Sequence, residues 1–317
     1  MTDIRESLVA EIDEHKLVSL ILDLLSQFQS NSLIVQPGDD AAVLQGLAKP
    51  TITSDILIED VHFKRIWSSP ADIGTRAAAA NLADLIAMGA EPKALTVSLG
   101  IPEKTAVGYV LDLTEAIAAE AQLIGAQVVG GDVTKSEKLV VSITAVGDCE
   151  NRTPILRSGA RVGDKVGLIG RLGFAQAGLQ LMQSGKSAPL DLILAHQRPR
   201  VDYSTGKSAW QSSNAMIDVS DGLLVDLGHI AKASNVRISL SSNLLQNLIT
   251  SDLKLAGKEL GVEPIEFVLS GGDDHAFVVT GMKLPSGAVE IGSVASGAGV
   301  WLDNEPADLL GYRHFNG

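Results

Sequence analysis

The stretch Pro37-Gly38-Asp39-Asp40-Ala41-Ala42-Val43-Leu44 places two adjacent carboxylates behind a glycine. Apolar runs at 33–35 and 41–44 predict a short strand on either side of it. Adjacent like charges repel each other, so a folded protein keeps such a pair at low cost only in water or beside cations. Because Gly-Asp-Asp is also ordinary turn chemistry, a solvated turn and a cation site both stay open for this stretch alone.

Acidic residues recur at the ends or in the middle of other apolar segments. One lies inside the predicted strand 52–58 and one in the predicted helix 71–88, while others follow glycine pairs or flank a strand-to-helix turn. Because the pattern occurs in separate segments, we predict one shared site of oxygen ligands. Such ligands suit Mg²⁺, and Mg²⁺ held by few carboxylates usually also holds phosphates. The residues concerned are Asp55, Asp84, Asp132, Asp218, Asp221, Asp273 and Asp274.

The predicted helix 71–88 has well-defined ends. Ser69 is its expected N-cap, Pro70 takes the first helical position, and Gly89 follows its end. Asn81 and Asp84 are three residues apart in this helix and therefore share one face.

Predicted strands and helices alternate along both halves of the chain, which indicates an α/β or α+β fold. Between Asp148 and Asp164 the pattern breaks into Asn, Arg, Thr, Pro, Ser and Gly. We therefore expect two domains, one over 1–150 and one over 151–317. Within the first, Gly130-Gly131-Asp132 is predicted to be a loop between two strands.

The familiar nucleotide-binding motifs are absent. The chain has no Gly-x-x-x-x-Gly-Lys-Ser/Thr loop and no protein-kinase signature. The glycines of Gly167-Leu-Ile-Gly170-Arg-Leu-Gly173 follow a predicted strand but do not match the dinucleotide fingerprint, so tight strand–helix packing is favoured there. If a nucleotide binds, its phosphates must be held mainly by metal ions on carboxylates.

The composition indicates a cytoplasmic protein. The net charge of −13 over 317 residues argues against a nucleic-acid partner. The single cysteine, Cys149, cannot form an internal disulfide and indicates a reducing compartment. The first residues lack the apolar segment of a signal peptide, and no apolar stretch is long enough to span a membrane.

Eight motifs in a fixed order give the chain a specific resemblance. Together they resemble the thiamine-monophosphate kinase family, which belongs to a superfamily that includes aminoimidazole ribonucleotide synthetase. The motifs are Gly38-Asp-Asp-Ala-Ala-Val, Thr53-Ser-Asp-Ile-Leu-Ile-Glu-Asp-Val-His-Phe63, Asn81-Leu-Ala-Asp-Leu-Ile-Ala-Met-Gly-Ala90, Gly130-Gly-Asp-Val-Thr134, Arg157-Ser-Gly-Ala-Arg-Val-Gly-Asp164, Asp218-Val-Ser-Asp-Gly-Leu223, Ser270-Gly-Gly-Asp-Asp274 and Gly311-Tyr-Arg-His-Phe315.

The resemblance implies a fold, a reaction and an assembly. The fold would be the two-domain aminoimidazole ribonucleotide synthetase-like α/β fold, in which 1–150 binds metal and ATP and forms a homodimer, and 151–317 completes the ATP and substrate site. The reaction would be transfer of the γ-phosphoryl group of ATP to thiamine monophosphate, giving thiamine diphosphate and ADP. Several Mg²⁺ ions would assist direct in-line transfer, and no side chain would act as a separate catalytic group. Phosphoryl transfer needs positioning and charge neutralisation more than acid–base chemistry, which agrees with a carboxylate-rich site.

The resemblance also assigns residue roles by matching motif positions. Metal-ligand positions are matched by Asp40, Thr53, Ser54, Asp55, Asp84, Asp132, Asp218 and Asp221. ATP-contact positions are matched by Gly131, Asp132, Arg157 and Ser220, and substrate-contact positions by His62, Asp273 and Tyr312.

The chain departs from the usual family pattern near the substrate residues. Gly271-Gly-Asp-Asp-His-Ala276 stands where the family usually has Gly-Gly-Glu-Asp-Tyr-Glu, so Asp273 is one methylene shorter than the usual glutamate. Asp60 replaces a glycine ahead of Val61-His-Phe. We therefore expect an active enzyme whose metal site is better defined than its substrate pocket.

Plainer interpretations stay open for several residues. His62 lies between Val61 and Phe63 and, without the resemblance, is best explained as a packed histidine. Asp164 and Asp226 are expected to be solvated or capping residues. For the whole chain, the alternatives are another ATP-using member of the superfamily, such as aminoimidazole ribonucleotide synthetase, and a non-catalytic metal- or nucleotide-binding module.

Overall fold

The computed structural model describes residues 4–28, 33–37, 41–308 and 311. The chain divides into two compact units. The first comprises Met1–Leu85 and Ala90–Arg152, and the second comprises Ile86–Gly89 and Thr153–Gly317.

The first unit is built on a four-stranded sheet with helices on one face. The strand order is β3-β6-β4-β5, in which β4 and β5 are parallel and the other pairs are antiparallel. A separate pair, β1 and β2, is antiparallel. The elements are α1 (Glu14–Leu25), β1 (Leu33–Val35), β2 (Val43–Leu44), β3 (Pro50–Ile58), α2 (Pro70–Ala87), β4 (Glu91–Ile101), α3 (Val107–Gln122), β5 (Gln127–Lys135) and β6 (Val140–Asp148), with 3₁₀ turns at Val9–Glu11 and Ser26–Phe28.

Helix α2 begins at the predicted cap. The Ser69 backbone N–H donates to Asp72 Oδ2 (3.0 Å), and the Asp72 backbone N–H donates to Ser69 Oγ (3.2 Å). This reciprocal pair satisfies two of the N–H groups that every helix start leaves without an intrahelical partner. Gly89 takes a φ of 75° after the helix ends, a conformation that glycine adopts without steric cost.

The two faces of the four-stranded sheet differ sharply, because side chains alternate along each strand. One face is buried and apolar, with Leu95 and Ile143 fully inaccessible to solvent. The opposite face, here called the uncovered face, carries isoleucines with exposures of 68% (Ile52) and 42% (Ile56) and a set of hydroxyl groups. These hydroxyls belong to Ser54, Thr96, Ser98, Ser142 and Thr144, which pair with one another across neighbouring strands.

The second unit is built on a seven-stranded, mostly antiparallel sheet in the order β13-β12-β9-β11-β7-β10-β8. Its apolar core joins one face of this sheet to the helices, with Leu168, Ile217 and Val278 contributed by strands and Leu227 and Phe267 by helices. The elements are β7 (Lys165–Ile169), α4 (Phe174–Gln183), α5 (Leu190–Gln197), α6 (Tyr203–Ser208), β8 (Ala215–Val219), α7 (Leu223–Ser234), β9 (Arg237–Leu240), α8 (Ser242–Leu245), α9 (Ser251–Leu260), α10 (Pro264–Ser270), β10 (Ala276–Gly281), β11 (Val289–Ala295), β12 (Gly299–Leu302) and β13 (Glu305–Pro306), with 3₁₀ turns at Arg157–Gly159, Ala209–Gln211 and Gln246–Leu248.

The predicted α/β or α+β class is confirmed, but the predicted loop at Gly130-Gly131-Asp132 is wrong. Strand β5 runs straight through these residues, which pair with Thr96, Val97 and Ser98 of β4. The unfavourable strand propensity of glycine is overridden by this pairing. Among the described residues, no helix is both long enough and apolar enough to cross a lipid bilayer.

Candidate functional site

In the first unit, strand β3 and helix α2 bring two predicted metal ligands into contact. The Thr53 hydroxyl donates to Asp84 Oδ2 at 2.7 Å. A hydroxyl that donates in this way keeps both oxygen lone pairs for a cation. Asp55 lies two residues further along β3 and is exposed, and its Oδ1 accepts from the backbone N–H of Ile56.

Asn81 precedes Asp84 by three residues on helix α2 and presents an unsatisfied oxygen. The residue is 1% exposed, and its Nδ2 donates to the carbonyl of Ala77 at 3.0 Å. Its Oδ1 is buried without a hydrogen-bond partner among the residues that the structure describes. An unpaired buried carbonyl costs about 1–3 kcal/mol, so this oxygen favours a bound water or cation nearby.

Ser54 and Asp132 belong to the uncovered face rather than to the Thr53–Asp84 pair. Ser54 Oγ donates to the carbonyl of Ile143 at 3.0 Å. Asp132 pairs with Ser98 of β4 and is exposed. Asp55 and Asp132 lie on the two edge strands, and three strand spacings separate those strands by about 14 Å. Within one copy of the chain, these two carboxylates therefore do not share an ion.

Gly131 is required by the sheet itself. A Cβ atom at this position would lie 1.8 Å from the carbonyl oxygen of Val97. Its neighbour Gly130 has open space, since nothing lies within 4 Å of a Cβ built there. The close approach of β4 and β5 thus explains the second glycine of the pair without any ligand.

His62 is held in a defined tautomer. The backbone N–H of Ile58 donates to His62 Nδ1 at 3.0 Å. Because Nδ1 accepts, the ring proton lies on Nε2, which makes Nε2 a hydrogen-bond donor. The imidazole is partly buried, so both the packed and the substrate-binding interpretations of His62 agree with its position.

In the second unit, the end of β8 meets the segment before β10. Asp218 lies in β8, and Ser220 and Asp221 form the turn into α7. The backbone N–H of Asp273 donates to the carbonyl of Ser220 at 2.9 Å, and His275 Nδ1 lies 3.2 Å from Asp218 Oδ2. Four of the predicted site residues (Asp218, Ser220, Asp221 and Asp273) are therefore brought together.

Asp226 caps the start of α7 from inside the protein. Its Oδ2 accepts from the backbone N–H groups of Ser220 (3.1 Å), Asp221 (3.1 Å) and Gly222 (3.2 Å). Burial, together with the charges of Asp218 and Asp221, raises the pKa of Asp226 to about 7. The capping role is confirmed, but the expectation of a solvated residue is wrong for Asp226, which is 3% exposed.

Asp164 shows the same correction. It is fully inaccessible and accepts from the backbone of Arg161 (2.9 Å) and from Asn214 Nδ2 (2.9 and 3.0 Å to its two oxygens). The burial of the two carboxylates is not visible in the sequence, although of the partners named here only Asn214 lies far away along the chain.

His229 was not predicted as a site residue. One ligand atom each of Asp221, Asp226 and His229 lies within 4.8 Å of the other two, which is the spacing of metal ligands. The sequence signal that could have found it is the spacing of three between Asp226 and His229, which places them on one face of α7.

Asp274, which the sequence predicts as one of the shared oxygen ligands, instead caps helix α4. Its carboxylate accepts from the backbone N–H groups of Gly173 and, at 2.8 Å, of Ala175. Burial raises the pKa of Asp274 to about 7. Because a carboxylate already occupies the N-terminus of α4, the glycine-rich turn before it does not offer the phosphate site of a dinucleotide-binding fold.

Arg157 and Ser220 lie at opposite ends of α7. The Arg157 carbonyl accepts from Ser234 Oγ (2.7 Å) at the C-terminal end of this helix, whereas Ser220 precedes its start. The 12 residues of α7 span about 18 Å, so the two residues are separated by about that distance along the helix axis. The Arg157 guanidinium is exposed and has no partner in the described part of the chain.

Two predicted residues, Asp40 and Tyr312, lie outside the described residues, as does Asp39. Gly311, which precedes Tyr312, is described: a Cβ built on it would lie 2.4 Å from the carbonyl oxygen of Asp221 and 2.5 Å from Val225 Cγ2. Gly311 itself therefore packs against the turn that carries Asp221.

The donor chemistry of both units fits Mg²⁺. The first unit offers the hydroxyl of Thr53, the carboxylates of Asp55 and Asp84 and the unsatisfied amide oxygen of Asn81. The second offers the carboxylates of Asp218 and Asp221, with Asp226 behind them. Hard oxygen donors of this kind are the ligands that Mg²⁺ prefers.

Known proteins match the chain over most of its length. The family model described as "AIR synthase related protein, N-terminal domain" matches residues 38–149. The thiamine-monophosphate kinase of Mycobacterium tuberculosis is 42% identical over 281 residues, which cover 87% of this chain and 84% of that protein.

Solved structures match in the same way. The crystal structure of thiamine-monophosphate kinase from Stenotrophomonas maltophilia has a TM-score of 0.81 at 32% identity, covering 93% of this chain and 98% of that chain. The structure of AaThiL complexed with AMPPCP and TMP has a TM-score of 0.78 at 35% identity, covering 96% and 98%. The chain therefore belongs to the thiamine-monophosphate kinase family, a family of enzymes with the AIR synthase-related α/β fold.

Proposed function

We propose that the protein transfers the γ-phosphoryl group of ATP to thiamine monophosphate, giving thiamine diphosphate and ADP, with Mg²⁺ bound to its carboxylates. The similarity to AaThiL, whose structure holds AMPPCP and TMP, supports this choice of nucleotide and acceptor. The observation that carries the proposal is the hydrogen bond from Thr53 to Asp84. A hydroxyl residue and an aspartate are the pair that holds the nucleotide-bound Mg²⁺ in P-loop enzymes, and here β3 and α2 supply them instead.

Each of the two units supplies its own proposed metal ligands. Thr53, Asp55 and Asp84 would hold ions in the first unit, with Ser54 and Asp132 on the uncovered face and Asp40 beyond the described residues. Asp218 and Asp221 would hold ions in the second unit. When bound, Mg²⁺ neutralises charge on the phosphate oxygens of the nucleotide and acceptor.

The chemistry of the acceptor makes a separate catalytic base unnecessary. The second pKa of a phosphate monoester is about 6, so the terminal oxygens of thiamine monophosphate are already ionised at neutral pH. One of them attacks the γ-phosphorus in line, the bond from that phosphorus to the β,γ-bridging oxygen breaks, and ADP leaves with the electron pair. No proton has to be removed, and the side chains only position the two phosphates.

The remaining proposed contacts divide between nucleotide and acceptor. The nucleotide would contact Gly131 and Asp132 in the first unit, and Arg157 and Ser220 at the two ends of α7. The acceptor would contact Asp273, which carries the negative charge suited to the thiazolium cation, and Tyr312 through its aromatic face. The proton on Nε2 makes His62 a donor for an anionic or carbonyl group of the acceptor.

The direct test is an ADP-release assay with purified protein, ATP and Mg²⁺. Thiamine monophosphate, free thiamine and formylated aminoimidazole precursors are compared as acceptors. Of the three acceptors, we expect only thiamine monophosphate to give ADP release. EDTA should abolish this activity, and added Mg²⁺ should restore it. Turnover with an aminoimidazole precursor but not with thiamine monophosphate would contradict the proposal.

We also propose a homodimer formed through the uncovered face of the first unit. This face leaves Ile52 and Ile56 exposed beside a set of hydroxyls, which is costly in a monomer and typical of an interface. Sedimentation analysis should give a dimer for the wild type and a monomer for Ile52→Asp. Ile66→Asp, a change at an even more exposed isoleucine outside the sheet, should leave the dimer intact.

A further inference from the structure

His275 is a buried titratable residue that none of the proposed roles uses. Its Nδ1 lies 3.2 Å from Oδ2 of Asp218, and the two side chains are only 7% and 6% exposed. No other side chain within the described part of the chain hydrogen-bonds to Asp218.

The backbone of His275 is held in an uncommon conformation. Its φ is 48°, a left-handed value that side chains other than those of Asn, Asp and His rarely adopt. The residue is fixed on one side by its backbone N–H, which donates to the carbonyl of Val219 at 3.0 Å. On the other side the ring contacts Asp218. These two contacts together fix where the imidazole ring lies.

The chemistry of the pair fixes which atom donates. An ionised carboxylate only accepts hydrogen bonds, so Nδ1 of His275 must carry the proton and donate it to Oδ2. With Oδ2 held in this way, Asp218 has one defined orientation, and Oδ1 is the oxygen left for a ligand. Partners of this kind orient metal-binding carboxylates in many proteins, and their loss typically costs about 10- to 100-fold in metal affinity.

We propose that His275 is a positioning residue for the metal site: its Nδ1–H holds Oδ2 of Asp218 and directs Oδ1 towards a divalent cation. This rests on the proposed function, because it requires Asp218 to be a metal ligand. The role belongs to the ring nitrogen and not to the bulk of the side chain.

Two substitutions separate the nitrogen from the backbone conformation. Asparagine and glycine both tolerate a φ of 48°, but only asparagine places a donor nitrogen where Nδ1 lies, two bonds beyond Cβ. Mn²⁺ binding to the full-length protein is measured by calorimetry without nucleotide. We expect His275→Gly to weaken Mn²⁺ binding about tenfold and His275→Asn to stay within about threefold of wild type. The Mg²⁺ concentration for half-maximal activity should shift by the same factors.

The outcomes distinguish this inference from the proposed function. Equal Mn²⁺ affinities for His275→Asn and His275→Gly, or a wild-type affinity for His275→Gly, would overturn the positioning role. If His275→Gly does not fold, His275→Phe keeps a ring without the donor and must show the same loss of affinity. Asp218→Asn is the reference: unchanged Mn²⁺ binding in that variant would remove Asp218 from the metal ligands and refute that part of the proposed function instead.

Discussion

The Gly131→Ala variant tests whether glycine is needed at this position for strand packing or for nucleotide binding. The added methyl group would lie 1.8 Å from the carbonyl oxygen of Val97 and 2.7 Å from its carbonyl carbon. These are backbone atoms of the neighbouring strand, so no side-chain rotation relieves the contact. Strands β4 and β5 must therefore move apart by about 1 Å at this point.

The displacement should destabilise the first unit. The ladder continues on both sides through the pairs Thr96–Gly130 and Ser98–Asp132, so the strain reaches neighbouring hydrogen bonds. Overpacking costs about 1–3 kcal/mol, which for a unit of this size lowers the melting temperature by about 4–10 °C.

The assay is thermal unfolding by calorimetry without nucleotide, with Gly130→Ala as the matched control. A Cβ on Gly130 meets nothing within 4 Å, so this variant should melt within a degree or so of the wild type. Saturating ATP should not remove the difference in melting temperature between Gly131→Ala and Gly130→Ala. Equal melting temperatures for both would refute the reasoning and return Gly131 to a purely ligand-binding role.

Three further outcomes are expected. Asp226→Asn keeps an oxygen that can accept from the three backbone N–H groups but removes the ionisable carboxyl group. Burial raises the pKa of Asp226 in the folded protein to about 7 from 3.8. The stabilisation that the protonated carboxyl gives the wild type is therefore complete only below pH 3.8 and is lost as the pH rises through 7. Urea unfolding in EDTA should therefore show the variant gaining about 2 kcal/mol on the wild type between pH 5 and pH 8, and a pH-independent difference would contradict this cause. Asp84→Asn should retain the fold by circular dichroism yet lose at least about 100-fold in kcat, because charge on the phosphoryl oxygens is then poorly neutralised, and full activity at ordinary Mg²⁺ would remove Asp84 from the site. Asp60 has a φ of 67°, which glycine adopts more easily, so Asp60→Gly should not lower the melting temperature although it removes the exposed ion pair with Lys138. A clear drop in the melting temperature would show that the ion pair contributes more to stability than the backbone conformation does.

Local patterns predicted the regular elements well. The expected strand 33–35 coincides with β1, and the expected helix 71–88 agrees with α2 to within one residue at each end, because periodicity and end signals agree there. The backbone conformation at Asp60 also explains why glycine is usual at that position.

The sequence-based predictions fail where the tertiary structure, and not the local sequence pattern, determines the environment of a residue. The sequence predicts a solvated or capping residue at Asp226 and a shared oxygen ligand at Asp274, yet folding buries both carboxylates against helix starts. The glycine loop became a strand because β4 supplies the pairing. The separation of Asp55 and Asp132 follows from strand order, which no motif in the sequence encodes.

The caps formed by Asp226 and Asp274 affect whether ATP binds free or as its complex with a cation. In many nucleotide-binding proteins a vacant helix start attracts phosphate, but here the starts of α7 and α4 already hold carboxylates. Free ATP, which is strongly anionic, therefore finds no open helix start at this end of the second unit, and the neighbouring side chains of Asp218, Asp221 and Asp273 are also acidic. The species that this surface admits is the nucleotide already complexed with a cation, and excess uncomplexed ATP should be a weak competitor.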